Sequence, residues 1–120
     1  MREVHHWVDP DLPNSVRAVR MRFSNRCVYV GVDASDDTVV LTNDESMLGL
    51  DEAGSWQETV WWQSFLPSAI RWAWALINNQ GYRDGLQIEF SNDDSTIQLV
   101  AIASALSLRR VIVDRATITT

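Results

Sequence analysis

Hydrophobic and polar residues alternate with a period of two along much of the chain. Over residues 16–43 three such runs follow one another: VRAVRMRF, CVYVGV and TVVLT. Successive side chains of a strand point to opposite faces, so this alternation predicts half-buried strands. The polar runs SN and ASDD between them are typical of turns. The pattern therefore predicts a three-stranded antiparallel β-meander over 16–43.

A second meander and a last strand are predicted over 68–120. The runs IRWAWALI, LQIEF and TIQLVAIA supply its strands, and RRVIVDRATIT supplies the last one. The first run also fits a helix, with Pro67 in its first turn and Gly81 as its cap. The Asp84–Gly85 pair predicts a tight turn before LQIEF. The repeated order of strand, Asp–Asp turn and strand has two explanations: a duplication of one half, or the general likeness of alternating strands joined by Asp turns.

The segments outside the meanders are predicted as an arm and a connection. Residues 1–15 contain two prolines among Asp and Asn and are expected to form an irregular arm. Residues 44–67 are expected to form an acidic loop and a helix, since SWQE at 55–58 matches a capping box. The predicted class is mainly β (α+β), one domain with a short helix around 56–65.

Composition restricts the class of protein further. The chain has 120 residues, 46% of them hydrophobic, and no apolar run long enough to span a membrane. Its first residues lack the apolar core of a signal peptide, so a cytoplasmic location is expected. The single cysteine, Cys27, lies in an alternating apolar run and is expected to be a buried thiol.

Charge is distributed unevenly along the chain. Residues 1–60 carry eleven acidic residues and five Arg, a net of −6, whereas residues 61–120 carry five of each. Between residues 33 and 58 there are eight carboxylates and no basic residue. Such a field disfavours nucleic acid and favours a basic protein partner.

The residues that could carry catalysis do not form a recognisable motif. The only histidines, His5 and His6, are adjacent and lie on the predicted arm. No nucleophile or phosphate-binding motif is present, and the Asp36–Asp37 and Asp93–Asp94 pairs fit turns. We therefore expect a non-catalytic protein with no catalytic residue, metal or cofactor.

The stretch TNDESMLGLDEAGSWQETVWW, residues 42–62, combines carboxylates with large apolar groups. A short helix on one small sheet cannot bury all of its faces, so some aromatic surface should remain exposed. Carboxylates around exposed aromatics would steer and anchor a basic protein. The predicted partner-binding residues are Asp44, Glu45, Asp51, Glu52, Trp61 and Trp62.

The second half offers an alternative function. Trp72, Trp74 and Tyr82 are predicted to form the aromatic end of the hairpin at the Asp84–Gly85 turn, and core packing is the simpler explanation of the two tryptophans. The alternative is a small-molecule pocket lined by Trp72, Trp74 and Tyr82, because aromatics are common in ligand sites. A homodimer through exposed tryptophans or a strand edge is a further expectation.

The second half also resembles a family of small bacterial domains of unknown function. The residues that carry the resemblance are Trp62, Trp72, Trp74, Gln80–Gly81–Tyr82, Asp84–Gly85, Gln87 and Phe90. This resemblance implies no activity and no site residue. More loosely, the size and acidity of the chain are similar to those of cytoplasmic immunity proteins of bacterial toxin systems. That likeness implies a protein that inhibits a basic toxin domain.

Overall fold

A computed structural model describes residues 1–91 and 95–112, which form an antiparallel β-fold. Two short 3-10 helices, Glu45–Leu48 and Gln63–Phe65, accompany the strands. The prediction of a mainly β protein is confirmed. The strands are β1 (Glu3–Asp9), β2 (Leu12–Arg22), β3 (Cys27–Asp33), β4 (Thr38–Thr42), β5 (Ser55–Glu58), β6 (Ile70–Ile77), β7 (Arg83–Phe90), β8 (Ser95–Ile102) and β9 (Ala105–Ile112).

The strands form one curled sheet in the order β4-β3-β2-β9-β8-β7-β6, with β1 paired to β2 and β5. The predicted first meander is present as β2, β3 and β4. The predicted second meander is present as β6, β7 and β8, and β9 is the predicted last strand. The Asp93–Asp94 turn and the residues of the last strand from 113 onward lie outside the described residues.

The sheet has two halves, β1–β5 and β6–β9, which meet at a narrow seam between β2 and β9. Val16 pairs with Val8 of β1 on one side and with Leu106 of β9 on the other. Next to the Val16–Leu106 pair, the Arg17 guanidinium donates to the backbone oxygen of Ser104 at 2.8 Å. The Ser104 amide in turn donates to the Asp37 carboxylate at 2.7 Å. The β3–β4 and β8–β9 turns are thereby tied together beside the Val16–Leu106 pair.

The hydrophobic core lies between the inner faces of the two halves, where β4 approaches β7 and β8. Trp62, Phe65 and Phe90 form its aromatic part, with the Phe65 and Phe90 ring centres 5.1 Å apart. Alternate residues of the strands complete it: Val4, Val19, Met21, Val30, Val39, Leu86, Ile88, Ile97, Leu99 and Leu106. The period-two pattern thus identifies the buried face of most strands.

The predicted irregular arm over 1–15 is wrong. Residues 3–9 form β1, and β2 begins at Leu12, so Pro10 and Asp11 make a tight turn between the two strands. Asp9 caps this turn by accepting from the Asp11 amide at 2.9 Å. Pro13 falls near the start of β2, where a strand tolerates proline.

The predicted helix around 56–65 is also wrong. Ser55–Glu58 is strand β5, paired antiparallel with β1 from His5 to Val8. Only Gln63–Phe65 is helical, as one 3-10 turn. The capping-box pattern is a local signal, and the backbone pairing offered by β1 overrides it.

The segment that fitted either a strand or a helix is a strand, β6. The turn predicted at Asp84–Gly85 is misplaced, because both residues lie inside β7. The chain reverses earlier, where the Asn78 side chain accepts from the amides of Gln80 and Tyr82 at 2.9 and 3.1 Å. Gly81 takes the left-handed conformation that this turn requires, at φ +85°.

Candidate functional site

The acidic segment of residues 44–54 packs on the outer face of the sheet, with its 3-10 helix against β3 and β4 and its last residue, Gly54, against Trp7 of β1. Two of its carboxylates shape its backbone: Asp44 accepts from the Ser46 amide at 3.0 Å, and Asp51 accepts from the Ala53 amide at 3.1 Å. Gly49 ends the intervening 3-10 helix in the left-handed conformation. These capped turns give the segment a defined path over the sheet.

Two glycines allow the segment to approach the sheet closely. A Cβ at Gly31 of β3 would lie 2.6 Å from Leu48 Cδ2, and a Cβ at Gly54 would lie 2.2 Å from Trp7 Nε1. Leu48 therefore packs directly over Gly31, and the Trp7 ring over Gly54. Sequence reasoning missed both contacts, although a glycine inside a strand such as Gly31 signals close approach by another group.

Trp56 is the third attachment of the acidic segment. Its indole N–H donates to Glu45 Oε1 at 2.5 Å. Its ring meets Trp7 edge-on at 5.2 Å and Tyr29 at 5.9 Å between ring centres, and the Arg20 guanidinium lies 4.8 Å from its centre. The Trp56 ring thus packs against the outer face of the sheet from strand β5, whereas a position in a helix was predicted.

The carboxylates on this surface are exposed and unneutralised. In the part of the chain that the structure describes, none of the eight acidic residues between 33 and 58 has a basic side chain within ion-pair distance. Among them, Asp44, Glu45, Asp51 and Glu52 are all exposed. Met47 lies between them in the sequence and is 67% exposed. We call these five residues the acidic surface.

The two predicted tryptophan anchors lie elsewhere. Trp62 is fully buried in the core, where its indole N–H donates to His6 Nε2 at 2.8 Å. The expectation that Trp62 is exposed is therefore wrong. Trp61 packs edge-on against Trp62 and keeps 37% of its surface exposed. The predicted binding residues consequently divide between the outer surface and the core region.

His6 on β1 is buried, and its imidazole accepts a hydrogen bond from the Trp62 indole. Burial, reinforced by the neighbouring His5, lowers the pKa of His6 to about 4. The side chain is therefore neutral at physiological pH, as an acceptor at Nε2 must be. Over residues 1–91 and 95–112, His, Cys, Asp and Glu side chains form no group of three that could hold a metal ion.

The aromatic residues of the alternative pocket are exposed on the sheet edge. Trp72, Trp74 and Tyr82 are 60%, 43% and 50% exposed, so the packing of the two tryptophans into the core is a wrong expectation. Five cavities of about 160–480 Å³ in the described part of the chain are lined by other residues. The cause of the exposure is the position of β6 at the end of the sheet, where it pairs with β7 alone among the described strands.

An apolar groove lies on the other face of β6, where the two halves of the curled sheet leave a gap. Its volume is about 480 Å³. Leu41 on the edge strand β4 is 49% exposed at its rim. The lining is largely aliphatic and includes Met21, Val28, Leu41, Ile70, Ala73 and Ile88.

Comparison with known proteins assigns the chain to a family. Residues 1–113 match the family of unknown function DUF6334, and the protein belongs to it. The match covers both halves of the sheet, whereas the resemblance seen in the sequence extended over the second half. No curated protein and no solved structure matches the chain. Within the described residues, no helix has the length and apolarity needed to cross a bilayer.

Proposed function

We propose that this protein is a non-catalytic protein-binding domain whose acidic surface receives a basic partner. The observation that supports the proposal is the set of exposed carboxylates Asp44, Glu45, Asp51 and Glu52, which have no basic side chain within ion-pair distance and flank Met47 in the sequence. Carboxylates that lack an internal counter-charge are free to attract a cationic surface and to accelerate encounter with it. An apolar residue among them could be buried on contact.

The attachment of the acidic surface to the sheet favours binding. Leu48 over Gly31, Trp7 over Gly54 and the Trp56–Glu45 hydrogen bond hold the segment at three points. A surface held in one conformation loses less conformational entropy on association than a free loop. An inhibitor of a basic toxin domain is one protein of this kind, and it is the form of the proposal that the acidity of the chain favours.

Neutralising the four carboxylates tests this function. A variant with Asp44→Asn, Glu45→Gln, Asp51→Asn and Glu52→Gln keeps the turn-capping acceptors and the acceptor for Trp56 while removing four charges. We expect a basic protein captured by the wild type from native lysate to associate with this variant about ten-fold more slowly. Stopped-flow measurement at low and high salt would give the rates.

The matched control neutralises four carboxylates outside the acidic surface: Glu3→Gln, Asp11→Asn, Asp84→Asn and Glu89→Gln. Both variants then carry a net charge of −2, since each loses four of the charges that give −6. The control should associate nearly as fast as wild type. Equal rates for the two variants would contradict a role for the acidic surface, and capture of no protein by wild type would contradict the binding function.

A small apolar ligand in the groove beside β6 is the second candidate function. The supporting observation is the groove of about 480 Å³ with its aliphatic lining, a size typical of ligand sites. This candidate replaces the predicted lining of Trp72, Trp74 and Tyr82 with residues of β2, β3, β4 and β7 and of the opposite face of β6.

The fluorescent probe 1-anilinonaphthalene-8-sulfonate tests the groove. We expect saturable binding to the wild type and loss of most of the fluorescence in Leu41→Asp, which places a charge at the rim. Leu12→Asp is the control, because Leu12 is 51% exposed on another part of the sheet. Equal fluorescence from both variants would show that the probe binds elsewhere.

A further inference from the structure

Strand β6 is exposed on both faces and along one edge. It pairs with β7 alone among the described strands. Five consecutive residues, 71–75, are exposed. Because alternate residues of a strand face opposite sides, consecutive exposure means that neither face of β6 is covered. Such a strand presents unpaired backbone groups as well as side chains.

The usual protections of an edge strand are sparse on β6. Soluble proteins blunt edges with short strands, lysines, prolines or inward-pointing charges. The other edge strands, β4 and β5, have five and four residues, whereas β6 has eight and therefore spans about 26 Å. Its one charged residue, Arg71, sits at one end, 3.1 Å from Glu89. The run Trp72–Leu76 carries no charge.

We infer that two copies of this chain associate by antiparallel pairing of β6 with β6 of the second copy. Antiparallel pairing about a two-fold axis needs one edge only, because the same edge serves both partners. In the register centred on Trp74, the two Trp74 side chains meet across the axis. Trp72 then lies opposite Leu76 of the second copy, and Ala73 lies opposite Ala75 of the second copy.

The distribution of charge favours a second copy at this edge. The whole net charge of −6 arises from residues 1–60, and residues 61–120 are neutral overall. Two chains of like charge repel least when they meet through their neutral parts. β6 belongs to the neutral half, so self-association there avoids close contact between the acidic surfaces.

The small size of the exposed apolar surface indicates how stable the dimer should be. At about 150–250 Å² for a whole tryptophan side chain, the exposed fractions of Trp72 and Trp74 amount to roughly 200 Å² per chain. A standard interface buries about 800 Å² per partner, so the backbone edge and neighbouring residues must supply the rest. We therefore expect a weak, concentration-dependent dimer rather than a permanent one.

Sedimentation velocity on the full chain, from about 1 to 300 µM, tests the inference. The mass should rise from 13.6 kDa toward twice that value. Trp74→Lys places a charge at the centre of the edge and should keep the protein monomeric over the whole range. Val60→Lys is the control, since Val60 is 77% exposed elsewhere, and it should dimerise as wild type does.

Amide hydrogen exchange locates the contact. Protection of β6 amides should increase with protein concentration in wild type and stay constant in Trp74→Lys. A mass of 13.6 kDa at every concentration would overturn the inference. A dimer that persists in Trp74→Lys without protection of β6 would also overturn it, since another surface would then mediate association.

Salt separates this inference from the proposed function, on which it does not depend. Added salt screens the repulsion between two acidic chains, so the β6 dimer should persist or strengthen at about 0.5 M. Binding of a basic partner to the acidic surface should weaken over the same range. Either result can fail while the other holds.

Discussion

Replacement of Trp62 by alanine is expected to remove much of the stability of the fold. Trp62 is fully buried, packs against Phe65 and Phe90, and donates to His6. Large aromatic-to-alanine changes in a core cost about 3–5 kcal/mol, against a total of about 5–15 kcal/mol for a typical domain. Urea denaturation followed by far-UV circular dichroism would measure the loss.

Trp61→Ala is the matched control for this experiment. The two tryptophans are adjacent in sequence and in contact, but Trp61 is 37% exposed. Its removal leaves a partly open site that solvent can fill, so we expect a loss of about 1 kcal/mol. Equal losses for the two variants would mean that Trp62 does not anchor the core. A Trp62→Phe variant would then separate the ring from its hydrogen bond.

Acidification below pH 6.5 is expected to destabilise the protein through His6. The pKa of His6 is about 4 in the folded state, against 6.5 for an ordinary histidine, so the unfolded chain binds the proton more tightly. The contribution of the neutral His6 to the free energy of unfolding is therefore fully present above pH 6.5, and it is lost as the pH falls toward 4. The difference between the two pKa values corresponds to about 3 kcal/mol.

Urea denaturation at intervals between pH 7 and 4.5 would show this loss, before most carboxylates titrate. His6→Gln removes the titration while keeping an acceptor for the Trp62 indole, so its stability should vary little over this range. His5→Gln retains His6 and should still lose stability on acidification. A wild type whose stability is constant from pH 7 to 4.5 would contradict the burial of a neutral His6.

Strands in which apolar and polar residues alternate regularly could be predicted from the sequence. Strands that form only because another strand pairs with them could not. Val19 and Met21 mark the inner face of β2, and Ile88 marks that of β7, in the sequence itself. By contrast, the inner face of β1 carries a histidine, His6, which breaks the apolar pattern. β5 has four residues and exists because β1 lies beside it. Such pairing is decided by tertiary structure.

The exposure of side chains at the candidate site was only partly predictable. The carboxylates Asp44 and Glu52 are exposed because burying an unpaired charge is costly. Tryptophan carries no such constraint, since its ring can lie in a core or on a surface. Trp62 is buried where exposure was expected, and Trp74 is exposed where core packing was expected. The exposure of Trp74 depends on the position of β6 at the end of the sheet.

The narrow seam between β2 and β9 has a consequence for how the chain folds. Val16 and Leu106, which form the one bridged pair between β2 and β9 in the described part of the chain, lie ninety positions apart in the sequence. Each neighbouring hairpin, in contrast, joins strands separated by a short turn. Closing a long loop costs more entropy than closing a short one, and distant contacts slow folding. The hairpins are thus expected to form early, and the union of the two halves to be the late, rate-limiting event.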